Sequence, residues 1–205
     1  VADRFLASGA YRNALVIGGE ILSKYMDWRD RTTCIIFADG AGASVLSARE
    51  GTSGVLATSL RADGSMADFI TLPAGGTMMP ASEKTVREGM HYIKMKGNET
   101  FKIAVRSIEE VSREVITASG LAASDIDLYI PHQANRRIIE AVGTRLGLRP
   151  EQIYMNIERV GNTSSASIPI ALDEVVRSGR VRPGDTVLFA AFGAGLTWGA
   201  ALLRW

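Results

Sequence analysis

Short continuous apolar runs alternating with amphipathic stretches constrain this chain more than any other feature. Residues 13–17, 33–38, 127–130 and 186–191 lack the polar alternation of a half-exposed strand. They predict strands covered on both faces. Phe101, Val105, Ile108, Val111 and Val115 recur at helical spacing and predict a helix over 98–119. Further helices are expected over 135–146, closed by Gly147, and 165–178, closed by Gly179. Residues 1–8 read as the tail of a helix closed by Gly9. Strands are also expected at 43–48, 54–60, 152–159 and 196–205, with turns at 39–42 and 192–195. Strands alternating with helices make this an α/β chain.

The other bounds are simple. A chain of 205 residues can bury a substantial core as one large or two small domains. Apolar content of 46% with 22% charged residues is that of a globular protein. A net charge of +1 gives no reason to expect nucleic acid or an acidic membrane surface. No apolar run approaches the roughly 18 residues that span a bilayer. One cysteine excludes an internal disulfide and fits a reducing cytoplasm.

Two polar junctions carry the chemistry. In Ile130-Pro131-His132-Gln133-Ala134-Asn135-Arg136-Arg137, His132 stands between a buried strand and a helix, where α/β proteins place functional groups. Gly161-Asn162-Thr163-Ser164-Ser165 precedes the next helix, and His132 and Asn162 are expected to converge. Residues 61–96, with four glycines, two prolines and five methionines, read as a loop-rich insertion, a lid or an interface. His91, in that insertion, has no metal-spaced partners and reads as structural. Cys34 is expected in the middle of a buried strand, away from the electropositive, accessible places where catalytic thiols sit.

The chain also repeats itself. Ala2-Asp3, Phe5-Leu6, Ser8-Gly9 and Arg12 align with Leu172-Asp173, Val175-Val176, Ser178-Gly179 and Arg182, and a buried strand follows each. A second register, 33–42 against 186–195, competes with the first at the strand beginning at Thr186; the first is preferred. In that register the first-copy counterpart of the Asn162 loop falls before Val1.

The string Pro131-His132-Gln133-Ala134-Asn135, then Gly161-Asn162-Thr163-Ser164-Ser165-Ala166-Ser167, resembles the β-ketoacyl-acyl-carrier-protein synthase III family of the thiolase superfamily. Phe37-Ala38-Asp39-Gly40-Ala41-Gly42-Ala43, Met95-Lys96-Gly97-Asn98-Glu99 and Phe192-Gly193-Ala194-Gly195-Leu196-Thr197-Trp198-Gly199 extend the resemblance over the whole length. It implies a thiolase-like fold of duplicated α/β/α layers with mixed five-stranded sheets. Residues 1–53 would be the remainder of the first half, and 54–205 the second half including the insertion 61–96. Val1-Ala2-Asp3 resembles the middle of the family's nucleophile-bearing helix, so the cysteine is expected upstream of Val1, and this chain alone is expected to be inactive.

The resemblance implies a decarboxylating Claisen condensation between an acyl-CoA and malonyl-acyl-carrier protein, initiating fatty acid biosynthesis. His132 and Asn162 would be its catalytic donors, with His132 also able to tune the thiolate; the sequence leaves both roles open. By resemblance, Arg31, Gly97, Asn98, Ala134 and Asn135 would bind coenzyme A and pantetheine. Gln133, Arg136, Arg137 and Lys102 would meet the acyl carrier protein, and Phe37 and Phe192 would line the acyl pocket. No metal and no permanently bound cofactor are implied; the coenzyme A thioester is a substrate. A cytoplasmic homodimer through residues 13–17 is expected. A polyketide-starter or quinolone-type synthase, or a non-catalytic thiolase-fold subunit, are the competing readings.

Overall fold

The computed structural model describes residues 1–205. In chain order the elements are α1 (Ala2–Ala7), β1 (Asn13–Glu20), β2 (Gly40–Ser47), β3 (Gly54–Ala62), β4 (Ile70–Thr71), α2 (Glu83–Arg87), β5 (Lys94–Met95), α3 (Gly97–Ala118), β6 (Leu128–Pro131), α4 (Arg136–Leu146), α5 (Ile157–Val160), α6 (Ser167–Arg177), β7 (Thr186–Gly193) and β8 (Thr197–Arg204). No helix is long and apolar enough to cross a membrane.

A mixed sheet in the order β3-β8-β7-β6 forms the centre, with β6 parallel to β7 and the other pairs antiparallel. Successive side chains of β6 and β7 point to opposite faces, and both faces are covered. Tyr129 and Leu188 pack with Val105, Ile108 and Val111 of α3 and Val142 of α4. Leu128, Ile130 and Val187 pack with Ala171 and Val175 of α6. That two-sided burial explains why these strands are apolar without alternation.

The second sheet is the antiparallel pair β1-β2. Its register places Gly18 opposite Gly42 and Glu20 opposite Gly40, so these four share one face. The start of α6 and the turn before it press onto that face. A Cβ on Gly18 would lie 2.3 Å from the Ser165 carbonyl oxygen; one on Gly40 would meet Thr163, and one on Gly42 would meet Pro169. Bare backbone is what lets the two halves approach.

Five expectations need correction. Residues 13–17 are not covered on both faces, since Leu15 and Ile17 are 61% and 67% exposed. Residues 33–38 form turns rather than a strand. The Asp30 carboxylate accepts the Thr32 N–H and hydroxyl and the Thr33 hydroxyl, while the Asp30 carbonyl accepts the Thr33 and Cys34 N–H groups. These bonds curl the backbone, so Cys34 is half-buried in a turn; only Phe37 pairs, in a parallel bridge with Asn162. Gly40 and Gly42 lie inside β2 rather than in a turn, because their bare faces receive Thr163 and Pro169.

Residues 152–159 are not a strand either. One bridge, Ile153 with Tyr129, touches the sheet edge. The Gln133 side chain then takes the place of a strand neighbour, donating to the Tyr154 carbonyl at 3.3 Å and accepting the Asn156 N–H at 3.0 Å. The central sheet accordingly holds four strands against the five expected, the β1–β2 pair belongs to the half expected to be incomplete, and β4 and β5 form a separate two-stranded sheet.

The glycine face yields a paired test. Gly18→Ala must displace backbone and is expected to destabilise the fold by about 1–3 kcal/mol. Gly19→Ala, on the opposite face with its nearest neighbour 3.9 Å away, is expected to stay within about 0.5 kcal/mol. Equal losses on denaturant unfolding would contradict this packing.

Candidate active site

The carboxyl ends of β6 and β7, the start of α3 and the turn before α6 surround a cleft of about 1010 Å³. His132 lies immediately after β6, and its N–H donates to the Ala190 carbonyl at 2.8 Å, continuing the parallel ladder with β7. Asn162 enters from the other side. Its backbone pairs with the 36–38 turn: Asn162 N–H donates to the Ile36 carbonyl at 3.1 Å, and Ala38 N–H to the Asn162 carbonyl at 2.8 Å. Gly161, at φ +69°, makes this approach possible, since a Cβ there would lie 2.8 Å from that of Ala38.

Asn162 is 6% exposed and its side-chain orientation is set locally. Its Oδ1 accepts the Ser164 N–H at 2.9 Å, leaving the amide NH₂ as the group available to the cleft. Ser164 is the one non-glycine residue with a positive φ, +49°. A strained residue held by its neighbour's side chain is a mark of functional turns.

His132 is half-buried, opening to the cleft on one side. Removal from water pushes its pKa down to about 4, so the ring is neutral near pH 7. Its Nδ1 lies 2.6 Å from the Ser167 hydroxyl. The lining contains no carboxylate; its two cations are Lys102 and Arg137.

Ten residues singled out in the sequence line this one cleft: His132, Asn162, Phe37, Phe192, Gly97, Asn98, Ala134, Asn135, Arg137 and Lys102. Some have work within the fold as well. Asn135 caps α4, its Oδ1 accepting the Arg137 N–H at 2.9 Å. The Arg137 guanidinium lies 5.2 Å from the Phe101 ring centre. Three residues are not brought to the cleft. Arg31 is exposed beside Thr32, which does line it. Arg136 pairs with Glu158 and Glu140, which hold its charge away. Gln133, expected on a carrier-protein surface, is fully buried with both ends of its amide bonded to backbone, so its place there is corrected to the core.

Two contributors were missed. Ser167 holds His132, and Glu20 of β1 accepts the Ser165 hydroxyl at 2.6 Å, tying the Asn162 turn to the other sheet. Ser167 sits within the string Thr163-Ser164-Ser165-Ala166-Ser167, but nothing in the spacing separates it from its neighbours. Cys34 does not line the cleft, and no cluster of three or more His, Cys, Asp or Glu side chains is placed to hold a metal ion.

Comparison with known proteins gives a consistent result. The family model "3-Oxoacyl-[acyl-carrier-protein (ACP)] synthase III" matches residues 1–64, and its C-terminal companion matches residues 116–205. A beta-ketoacyl-[acyl-carrier-protein] synthase III of Caldanaerobacter subterraneus subsp. tengcongensis is 49% identical over the whole chain, and one of Symbiobacterium thermophilum is 51% identical. The chain spans 62% of the length of each. The crystal structure of 3-oxoacyl-[acyl-carrier-protein] synthase III from Aquifex aeolicus VF5 superposes with a TM-score of 0.89 at 48% identity, covering all of this chain and 61% of that one. The priming β-ketosynthase of the R1128 polyketide pathway superposes with a TM-score of 0.88 at 33% identity, covering 98% and 60%. The fold is thiolase-like, and the chain belongs to the 3-oxoacyl-[acyl-carrier-protein] synthase III family.

Proposed function

We propose that these residues form the malonyl-activating half of a synthase that condenses an acyl-CoA with malonyl-acyl-carrier protein and so initiates fatty acid synthesis. The observation that carries the reading is the pair of neutral donors, His132 and Asn162, lining one cleft that contains no carboxylate. The nucleophile of this reading is a cysteine outside residues 1–205.

The chemistry follows from where charge moves. The cysteine thiolate attacks the acyl-CoA thioester; a C–S bond forms, and coenzyme A leaves as its thiolate. Malonyl thioester then enters. Its C–C bond to the carboxylate breaks, carbon dioxide departs, and the electron pair moves onto the thioester oxygen as an enolate. The imidazole N–H and the Asn162 NH₂ donate to that oxygen from fixed positions, as oriented dipoles that stabilise the developing charge. The enolate carbon attacks the acyl-cysteine carbonyl. A new C–C bond forms and the cysteine leaves as thiolate. A neutral histidine suits this role because it stabilises the oxygen without surrendering a proton to it.

Lys102 and Arg137 give the mouth a positive character suited to phosphopantetheine and an acidic carrier-protein surface. Phe37 and Phe192 give the acyl chain an apolar wall. The coenzyme A arm would pass Gly97, Asn98, Ala134 and Asn135, with Arg31 outside the mouth. A homodimer through β1 belongs to the same reading. Leu15, Ile17 and Val45 are 61%, 67% and 70% exposed on the β1–β2 face turned away from the glycines, and such a contact would cover them. Identity of 49% and 51% to the Caldanaerobacter and Symbiobacterium synthases III, against 33% to the polyketide priming enzyme, supports the fatty-acid role. The donor pair weighs against a non-catalytic subunit, which has no use for it.

In the full-length protein, His132→Ala and Asn162→Ala should each slow malonyl-thioester decarboxylation about 10²–10³-fold, the usual loss for one oxyanion donor, while circular dichroism stays unchanged. Wild-type decarboxylation in both variants would contradict the proposal.

The pH profile is a separate test. Because burial holds the His132 pKa at about 4, decarboxylation should be flat between about pH 8 and pH 5. A loss with a midpoint near the ordinary histidine value of 6.5 would show that the ring charges in the active enzyme. Protonation of the unfolded chain favours unfolding, so His132 should also reduce stability as pH falls from about 6.5 towards 4.

A further inference from the structure

We infer that Ser167 is a positioning residue that fixes His132 in the tautomer with its proton on Nε2, so that the ring can only donate towards the cleft. The inference rests on the function proposed above and names the group that sets the donor. Ser167 is fully buried at the first turn of α6. Its hydroxyl has two partners, the His132 Nδ1 at 2.6 Å and the Gln133 backbone N–H at 3.3 Å.

The assignment follows from what each partner can do. The Gln133 N–H can only donate, so it occupies a lone pair on the Ser167 oxygen. Gln133 cannot turn away, because its side chain is bonded to the Pro131 carbonyl at 2.9 Å, to the Tyr154 carbonyl and to the Asn156 N–H. The hydroxyl proton then needs an acceptor, and Nδ1 is the acceptor within reach. A neutral imidazole that accepts at Nδ1 carries its proton on Nε2. The depressed His132 pKa keeps the ring neutral, so the tautomer matters across the working pH range.

This arrangement also joins the two donors mechanically. Ser167 lies five residues after Asn162 on the same continuous turn and helix start. One segment therefore carries the Asn162 amide into the cleft and sets the imidazole opposite it.

The test is ¹⁵N NMR of the full-length protein labelled at histidine, with the His132 signals assigned by their loss in His132→Ala. The wild type should show a protonated Nε2 and a bare Nδ1. In Ser167→Ala the two tautomers should mix, and kcat for malonyl-thioester decarboxylation should fall about tenfold with KM little changed, as loss of one hydrogen bond allows. Ser167→Cys keeps the volume with a weaker donor and should fall between the two. A proton on Nδ1 in the wild type, or unchanged His132 shifts in Ser167→Ala, would overturn the inference. The nitrogen shifts read Ser167 alone, whereas decarboxylation by His132→Ala reads the proposed function, so each can fail without the other.

Discussion

The approach of the Ser165 backbone to Gly18 is the contact on which the rest of the site depends. A Cβ at Gly18 would sit 2.3 Å from the Ser165 carbonyl oxygen, so the turn before α6 reaches the β1–β2 sheet at a residue without a side chain. Glu20, on the same face, holds the Ser165 hydroxyl. Asn162 pairs with the 36–38 turn just before this contact, and Ser167 reaches His132 just after it. The cleft is therefore built at a junction between layers, and one short segment carries its geometry.

Electrostatics at this junction are set by exclusion rather than by ion pairs. The carboxylates of Glu158 and Glu140 are engaged with Arg136, and Glu174 with Arg159, away from the cleft lining. What faces the cavity is an imidazole made neutral by burial, an amide that cannot titrate and two cations at the rim. Developing negative charge would meet dipoles and no competing anion.

The layered α/β class and the helices 98–119 and 135–146 were legible because two-sided burial and helical spacing leave direct marks on apolar residues. His132 and Asn162 stood out because each occupies a polar junction between regular elements. Residues 33–38 misled because they are apolar, yet Asp30 supplies side-chain acceptors that curl them. Residues 152–159 misled for a related reason: a buried glutamine from elsewhere satisfies their backbone. Gln133 itself sits between the cleft-lining residues His132 and Ala134 and turns inward in the fold. Ser167 could not be separated from four neighbouring small polar residues until distances were known. The Gln133 bonds to Tyr154 and Asn156 join residues far apart in the chain, and such bonds leave no period in a sequence.

The central claim is that His132 and Asn162 donate to the same oxygen. A crystal structure of the full-length protein with a malonyl-thioester analogue that cannot lose carbon dioxide measures this directly. The account predicts the thioester oxygen about 2.7–3.1 Å from both His132 Nε2 and Asn162 Nδ2. A thioester oxygen bound by backbone N–H groups elsewhere, with either nitrogen out of hydrogen-bonding range, would contradict it.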